Sequence, residues 1–535
     1  MNIVNYKTVC VTAILLITCS IGGCGGPTGG KSRDLAPTID LGPTIGSLVE
    51  VISPESIPLE GYGLVGGLNG TGSAECPPQI RGYLKRYIMK QLPEQQIDVE
   101  KLINSANTAV VLIEGTMPTL ALKNQYFDVR VTALRGSQTT SLDNGGLLAA
   151  ELKTTGSFGI TTKVIAEAEG PVYIDKISSS ETNNRAGYIL AGGRVLEEYK
   201  VNLVLPKPDL RITSDIRNRL NERFGDGTAK AVLPGQIELT APDKYRRQKQ
   251  RFISIVKATY LTEDPEITRE RTKTFVRKLA GSEDKLASEI ALEAIGNESL
   301  SKLSVLLKAS DEQVRLQAAR CMLNLGSEEG LETLRQIALD RGSSYRVEAL
   351  EAISTAARRD DAAGISRKLL RDDDFDMRLA AYEQLRKFSD ATITQEPIGR
   401  NFYLEQIAQT GHETVFASRS GQPRIVLFGA PMRCGSNTFL QSADGNITIS
   451  AAAGEEYVSI MRKVPTRPGI IAQLKSSFEL ADIIRTLCEE PLKKGEKGRG
   501  GLGVSYADVI AVLKQMCDKG AVKAEFRAGP LPKIG

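Results

Sequence analysis

The sequence has no tryptophan, a single histidine and only 5% aromatic residues in 535 positions. One histidine, His412, excludes zinc sites of the His-x-x-x-His kind, and any Ser-His or Cys-His catalytic pair would depend on it. It lies in GHETV, which we interpret as a loop leading into a strand, so a surface position is the simpler interpretation. The 68 basic and 64 acidic side chains leave a net charge of only +4, which does not indicate a nucleic-acid-binding protein.

The eight cysteines include no C-x-x-C pair, which leaves a zinc ribbon or a thioredoxin-like site without support. Export would permit disulfides, and Cys488 with Cys517 is the pair that we would name. Cys321 lies in an apolar helical pattern and is predicted to be a core residue.

The N-terminus combines one lysine, Lys7, with an apolar run from Val9 to Ile21 that is too short to span a bilayer. We interpret residues 1–23 as a signal peptide. Ile21-Gly22-Gly23-Cys24 resembles a bacterial lipobox, which predicts lipidation of Cys24 and a flexible tether over residues 24–47. GGPTGGKS at 25–32 fits the phosphate-loop pattern, but the prolines that follow prevent the helix that such a loop needs.

A second glycine pattern, GYGLVG at 61–66, fits the dinucleotide-binding pattern G-x-G-x-x-G. That site requires a helix to begin at the glycines, and the following GLNGTGSAECPP does not allow one there. We therefore predict no cofactor. The glycines instead allow tight turns and close backbone approach.

Residues 48–262 show both strand and helix periods. Apolar residues alternate with polar ones in two predicted strands, at Phe127, Val129, Val131 and Ala133 and at Val201, Leu203 and Leu205. An amphipathic helix is predicted by the four-residue spacing of Ile212, Ile216, Leu220 and Phe224, with Gly225 as its end. A strand near Ile237 and Leu239 completes a small α/β module.

Residues 263–395 have a different composition, rich in Ala, Leu, Arg, Asp and Glu. Arg315, Arg346 and Arg378 open similar segments at steps of 31 and 32 residues, which resembles short HEAT-like repeats stacked in an all-α solenoid. Such a stack either presents a face to a protein partner or acts as a spacer.

Residues 396–535 return to short β-like runs, ETVFAS, RIVLFGA and NITISAAAG. KKGEKGRGG at 493–501 is either a solvated loop or a contact for an anionic envelope polymer. The chain closes with Ser505 as N-cap of a helix, Gly520 as its stop and a final strand near Val522–Phe526. The predicted fold class is therefore α+β: a β-rich core with small α/β modules and an inserted helical solenoid.

Several of these segments, taken in order, resemble the bacterial flagellar P-ring protein family, which forms a periplasmic ring of the basal body. They are GYGLVGGLNGTGS (61–73), FDVRVTAL (127–134), SLDNGGLLAAEL (141–152), LNERFGDGTAKA (220–231) and GVSYADVIAVLKQMCDKGAVKAEF (503–526). The resemblance covers roughly 48–262 and 410–529. The helical block, the lipobox and the sequence of 153–173 depart from the family's usual pattern.

The resemblance implies a non-enzymatic, β-rich ring subunit that forms a homo-oligomer around the flagellar rod in the periplasm. The implied partners are rod and L-ring proteins, with peptidoglycan as a further candidate, an unidentified protein for the helical block, and no nucleic acid. Anchoring to the outer membrane would follow from Cys24. By resemblance, the subunit contacts are expected at two sites, Gly61, Tyr62, Gly63, Gly66, Gly67, Asn69, Gly70 and Gly72, and Arg223, Phe224, Gly225 and Gly227.

Two other functions stay open. One is a P-ring-like envelope lipoprotein that acts as a scaffold through its helical arm and is not necessarily flagellar. The other, a nucleotide-binding enzyme, depends only on the two glycine patterns.

Overall fold

The computed structural model describes residues 40–534, apart from 53–55, 92–97, 157–161, 179–181, 199, 282–283, 400, 464–470 and 493–499. Cys24, the signal peptide, GGPTGGKS and most of KKGEKGRGG lie outside the described residues. From Gly42 onward the chain forms one compact unit with helices and strands in segregated regions, which confirms the α+β class. Packing begins at the short helix α1 (Ile45–Leu48), where Ile45 is fully buried.

The first large element is a closed barrel of six antiparallel strands in the order β2-β3-β4-β7-β6-β5. A short strand and two helices accompany it. The elements are β1 (Glu50–Ile52), β2 (Ile57–Gly66), α2 (Pro78–Gln91), α3 (Val99–Ile103), β3 (Thr108–Met117), β4 (Tyr126–Ala133), β5 (Gly146–Thr154), β6 (Ala166–Pro171) and β7 (Ala186–Val195). The predicted alternation in β4 is confirmed, because its four apolar residues are buried in the barrel core. Pro78 is the first residue of α2, a position where the missing N–H of proline has no helical partner to lose.

The predicted α/β module follows the barrel. It contains β8 (Val201–Val204), α4 (Leu210–Phe224), β9 (Ala229–Leu233), β10 (Gln236–Leu239) and α5 (Lys249–Ala258). The sheet has the order β1-β8-β10-β9, so β1 from before the barrel completes it. Asp209 accepts hydrogen bonds from the first turn of α4, and Gly225 (φ 103°) ends this helix as predicted.

Eight α-helices occupy most of the described part of the block predicted to be helical. They are α6 (Pro265–Gly281), α7 (Lys285–Ile295), α8 (Leu300–Leu306), α9 (Glu312–Asn324), α10 (Glu328–Leu339), α11 (Arg346–Ala356), α12 (Arg359–Leu369) and α13 (Phe375–Lys387). Two of the recurring arginines act alike: Arg315 and Arg378 each donate to two carbonyls five and six residues earlier. Arg346 differs, because it donates to the carbonyl of Ala338 and pairs with the carboxylate of Asp372. The class of repeat and the 263–395 boundary stay predictions.

A buried ionic cluster joins the module to the helices. Arg251 of α5 donates to Glu293 of α7 (Nε to Oε2, 2.9 Å) and to Glu289, and both carboxylates are at most 1% exposed. Arg320 of α9 donates to Glu289 at 2.7 Å. Burial raises the pKa of Glu293 even though the charge of Arg251 opposes that change.

The C-terminal part contains two further sheets, ordered β11-β12-β14-β13-β19 and β15-β16-β17-β18. Its elements are β11 (Thr394–Ile398), β12 (Phe402–Ile407), β13 (Thr414–Ala417), β14 (Arg424–Phe428), β15 (Thr438–Gln441), β16 (Ile447–Ala451), β17 (Val458–Lys463), β18 (Ile471–Ser476), α14 (Leu480–Cys488), α15 (Tyr506–Asp518) and β19 (Glu525–Ala528). Ser505 accepts a hydrogen bond from the amide of Asp508, so the predicted N-cap of α15 is confirmed. The last strand begins three residues later than the predicted Val522.

The pairing of Cys488 with Cys517 is wrong, because both are free thiols. Cys488 is fully buried in the core that surrounds α14 and α15, where apolar packing and not a covalent bond holds it. Cys321 is also fully buried, as predicted, and its surroundings raise the pKa of the thiol well above the usual value through desolvation.

Candidate functional site: a cavity where the sequence motifs meet

The glycines of GYGLVG lie in strand β2, and at two of them the barrel interior leaves no room for a side chain. A Cβ atom at Gly63 would stand 2.8 Å from Ile113 Cδ1 and 2.9 Å from Leu147 Cδ1. A Cβ atom at Gly61 would collide with the carbonyl oxygen of Glu151 on the neighbouring strand. Close packing inside the subunit therefore explains why glycine stands at positions 61 and 63.

The glycines that follow have open surroundings. Gly66 ends β2, and a Cβ atom there or at Gly70 would meet nothing within 4 Å. Gly67, Asn69 and Gly70 have positive φ angles of 81°, 45° and 89°, so this segment is a tight turn. Gly72 differs, because a Cβ atom there would collide with the backbone of Thr108. Tyr62 is half-buried on β2.

The second predicted contact site, Arg223 to Gly227, lies at the end of α4 and contacts other parts of the same chain. Phe224 packs edge-on against Tyr245 and Phe252, with ring centroids 6.0 and 5.3 Å apart. Arg223 donates to the carbonyl of Glu293 at 2.8 Å, and burial lowers the pKa of its guanidinium. Gly225 and Gly227, with φ of 103° and 83°, have open space around them. The two predicted sites therefore belong to different cores, the barrel and the α/β module.

Three of the motifs that carry the family resemblance converge on one cavity of about 530 Å³ between the barrel and the C-terminal part. Asn69 comes from the glycine-rich segment, Asn144 from SLDNGG, and Ser505 from GVSYAD. Glu169 of β6 and Arg462 of β17 supply charged groups. Residues more than 400 positions apart in the sequence therefore form one lining.

Tyr506 anchors the C-terminal side of this cavity. Its hydroxyl lies 2.7 and 2.8 Å from the carbonyl oxygens of Ser418 and Arg424, and its ring packs against Tyr173 of the barrel at 6.0 Å. Burial raises the pKa of Tyr506 beyond the titration range of an exposed tyrosine. The phenol therefore stays protonated and donates a hydrogen bond at the start of α15.

Charged groups hold the barrel against the C-terminal part beside the cavity. Lys176 Nζ lies 2.7 Å from Asp143 of the SLDNGG segment and 2.7 Å from Asp508 of α15. Burial disfavours the charged form of Lys176, but Asp508 and Asp143 outweigh it and raise its pKa. Arg419 pairs with Asp175 at 3.2 Å and donates to the carbonyl of Gly529 at 2.7 Å.

Asp128 makes a further link between the barrel and the C-terminal part. Its carboxylate accepts hydrogen bonds from the backbone amides of Ala191, at 2.6 Å, and Gly421, at 2.9 Å. Asp128 thus joins β4 and β7 of the barrel to the turn before β14. The cavity lies at a joint that is fixed on the barrel side and the C-terminal side by named polar contacts.

The polar contacts beside the cavity join the barrel to the C-terminal part. His412, which any histidine-dependent catalytic pair would require, has a side chain that is 63% exposed and lies 3.5 Å from Asp373. Within the part of the chain that the structure describes, no group of His, Cys, Asp and Glu side chains has the arrangement of a metal site. In the same residues, no helix is long and apolar enough to cross a membrane.

Comparison with known proteins gives the family. The family model described as "Flagellar P-ring protein" matches residues 44–278, which contain the barrel, the α/β module and most of α6. The flagellar P-ring protein of Thermotoga maritima is 30% identical over 233 residues, covering 40% of this chain and 67% of the relative.

The chain belongs to the flagellar P-ring protein family.

Two other P-ring proteins show a similar extent of likeness. That of Campylobacter lari is 30% identical over 252 residues, covering 44% of this chain and 68% of the relative. That of Anaeromyxobacter dehalogenans is 28% identical over 250 residues, covering 43% of this chain and 64% of the relative. The match of the P-ring family model ends at residue 278, so the resemblance of GVSYAD and the segment after it stays a prediction.

Sequence reasoning missed Lys176, Asp143, Asp508 and Arg462. Their partners are far away in sequence, so no local pattern indicates which groups they contact. Asp143 and Asp508 do lie inside quoted motifs. Their position there was the one available hint that SLDNGG and GVSYAD approach each other.

Proposed function

We propose that the protein is a structural subunit of the flagellar P ring, assembled in several copies around the rod in the periplasm. The observation that carries the proposal is the family match, which spans the barrel and the α/β module. The joint around Lys176 supports it, because a ring subunit has to keep its parts in a fixed relation under load. A closed ring repeats one heterologous contact until the rotation closes.

We propose that the open glycine turn of residues 66–70 and the turn of residues 225–227 contribute to the contacts between subunits. A Cβ atom added at Gly66, Gly70, Gly225 or Gly227 would meet no atom within 4 Å, so nothing in the described part of the same chain fills the space beside them. Gly61, Gly63 and Gly72 remain within the prediction, but substitutions there would also disturb packing inside the subunit. They are therefore poor probes of assembly.

Gly66 offers the cleanest test of this contact. Its φ is not positive and its surroundings are open, so Gly66→Trp should fold normally while the indole obstructs a neighbouring subunit. Gly66→Ala is the matched control. Basal bodies isolated from cells with each variant and viewed by electron microscopy should lack the ring with tryptophan and keep it with alanine. Normal rings with Gly66→Trp would remove this turn from the interface.

The ring assignment itself is tested by deleting the gene. The deletion should leave basal bodies without this ring and impair swimming, and a tagged copy should restore both and appear at the rod. Normal rings and normal motility in the deletion strain would overturn the assignment. Rod and L-ring proteins are the proposed neighbours, with peptidoglycan as a further one, and crosslinking from the tagged copy would identify them.

We further propose an outer-membrane anchor at Cys24, supported by the lipobox-like Ile21-Gly22-Gly23-Cys24. Cys24→Ser should block incorporation of labelled fatty acid and cause the precursor to accumulate. Equal labelling of the serine variant would exclude this anchor.

A second candidate function is an envelope scaffold that recruits a partner through the helical block. It is favoured by the position of α7 to α13 beyond the end of the P-ring family match. Val305 of α8 and Leu286 of α7 are 68% and 52% exposed, and they are suitable sites for probes. Val305→Asp and Leu286→Asp should abolish crosslinking to a partner in cells without a rod. If neither substitution changes partners or assembly, the block acts as a spacer.

A further inference from the structure

A second cavity, of about 510 Å³, lies where the α/β module meets the helices that follow it. One side is residues 243–248, between β10 and α5, within the P-ring family match. The other side is formed by Asn324 at the end of α9, residues 354–357 at the end of α11, Arg359 and Phe388. The cavity therefore requires both the family-matched part and the helical block.

Its lining is strongly cationic. Lys244, Arg246, Arg247 and Arg359 line it, and Asp243 is the one carboxylate among the described residues of the lining. The side chain of Asp243 is 92% exposed and 3.7 Å from Arg246, so its charge is largely screened by water. Among the residues that the structure describes, Lys244, Arg247 and Arg359 form no ion pair with a carboxylate.

Contacts within the chain hold these cations at the cavity without neutralising them. Lys244 donates to the carbonyl of Asn324, and Arg359 donates to the carbonyl of Phe388. The guanidinium of Arg247 lies 5.8 Å from the centroid of the Phe388 ring. A neutral carbonyl accepts a hydrogen bond but does not cancel a full positive charge, and lysine and arginine each have further N–H groups to donate.

We propose that this cavity binds an anion of the phosphate class that carries at least two negative charges. Arginine presents its N–H groups in a planar fork that matches phosphate oxygens, and several cations around one anion give short, charge-assisted hydrogen bonds. Burial lowers the pKa of Lys244 more than the charge of the nearby Glu293 raises it, and a bound anion would offset that remaining cost. Because more than half of the lining lies beyond the P-ring family match, the site gives the helical block a role that is independent of ring formation.

The test uses pyrophosphate as the probe and isothermal titration calorimetry on the purified full chain. Pyrophosphate should bind saturably at about 50 mM salt and more weakly as salt screens the cations. The double variant Arg246→Gln/Arg247→Gln should bind about tenfold more weakly or worse, because two charge-assisted contacts are lost. The variant loses an exposed pair of Arg246 with Asp243 and the contact of Arg247 with the Phe388 ring, so the melting temperature should fall only slightly. Arg211→Gln, an exposed arginine on α4, is the matched control and should bind as the unmodified protein does.

A second arm identifies the source of the phosphate. Vesicles containing phosphatidylglycerol that bind the protein, are displaced by pyrophosphate and fail to bind the double variant would assign the site to a lipid headgroup. Pyrophosphate binding without vesicle binding would assign it to a free anion. Absence of saturable pyrophosphate binding, or unchanged binding by the double variant, would overturn the proposal.

Discussion

Replacement of Arg251 by methionine should destabilise the joint between the α/β module and the helices. In the described structure, Arg251 forms an ion pair with Glu293 and a second one with Glu289. After the change, Glu289 keeps Arg320 at 2.7 Å. The side-chain hydrogen-bond partners left to Glu293 are neutral, Asn324 at 3.2 Å and the Tyr245 hydroxyl at 3.5 Å. The charges of Arg223 and Lys244 act on Glu293 from farther away, without an ion pair in the described structure. One uncompensated carboxylate that is buried in this way costs about 3–5 kcal/mol.

The loss of unfolding free energy in Arg251→Met should depend on pH, and the raised pKa of Glu293 decides in which direction. A carboxyl whose folded pKa lies above its unfolded value, about 4.3, binds more protons in the folded state between those two values. Its contribution to the free energy of unfolding is therefore most favourable at low pH and is lost as pH rises through the folded pKa. Removal of Arg251 raises that pKa further, so the variant's deficit should be large at about pH 8 and smaller at about pH 5.5.

The measurement is urea unfolding followed by circular dichroism at both pH values, with hydrogen exchange of α5 and α7 to locate the effect. Arg251→Met/Glu293→Gln should recover at least half of the loss, because a neutral amide is cheaper to bury than a carboxylate. Exposed Arg211→Met is the control and should change the free energy of unfolding by less than about 0.5 kcal/mol. A deficit below about 1 kcal/mol at pH 8, or one that is equal at both pH values, would refute the reasoning.

Three further predictions concern the barrel and its joint. Gly63→Ala should cost about 1–3 kcal/mol by overpacking the barrel, whereas Gly66→Ala should be nearly neutral, as thermal unfolding would show; equal effects would contradict the packing account. Lys176→Met should leave Asp143 and Asp508 without their shared cation and increase hydrogen exchange on both sides of the joint, whereas Lys514→Met on the surface should not; an unchanged exchange pattern would count against the joint. Tyr506→Phe should lower the free energy of unfolding by about 1–2 kcal/mol through loss of a buried hydrogen bond. Urea unfolding measures this loss, and an unchanged free energy would contradict the role of the hydroxyl.

Local patterns predicted local structure well. The spacing of Ile212, Ile216 and Leu220, and the alternation from Phe127 to Ala133, indicated the correct element because burial on one face imposes a fixed period on the sequence. The helix ends at Gly225 and Ser505 were predicted equally well, because few residue types satisfy the backbone groups at helix ends.

Long-range structure is not encoded in the sequence in the same way. Closure of the barrel depends on β2 pairing with β5 across about ninety positions, and no period encodes which strand a given strand will meet. The same limit explains the error at Cys488 and Cys517, because nearness in sequence does not bring two sulfur atoms within bonding distance. The family resemblance places subunit contacts at the glycines of GYGLVG, whereas Gly61 and Gly63 first serve the interior of their own barrel.

Closure of the barrel also restricts how this protein can polymerise. A closed sheet offers no unpaired row of N–H and C=O groups, so copies cannot join by adding strands to it, and that route to fibrils and domain-swapped aggregates is unavailable along most of residues 57–195. Among the described sheets, strand addition is open only at those with terminal strands, such as β1 and β9 of the α/β module. A chain whose longest strands are all paired within its own barrel is protected from this kind of aggregation before it assembles.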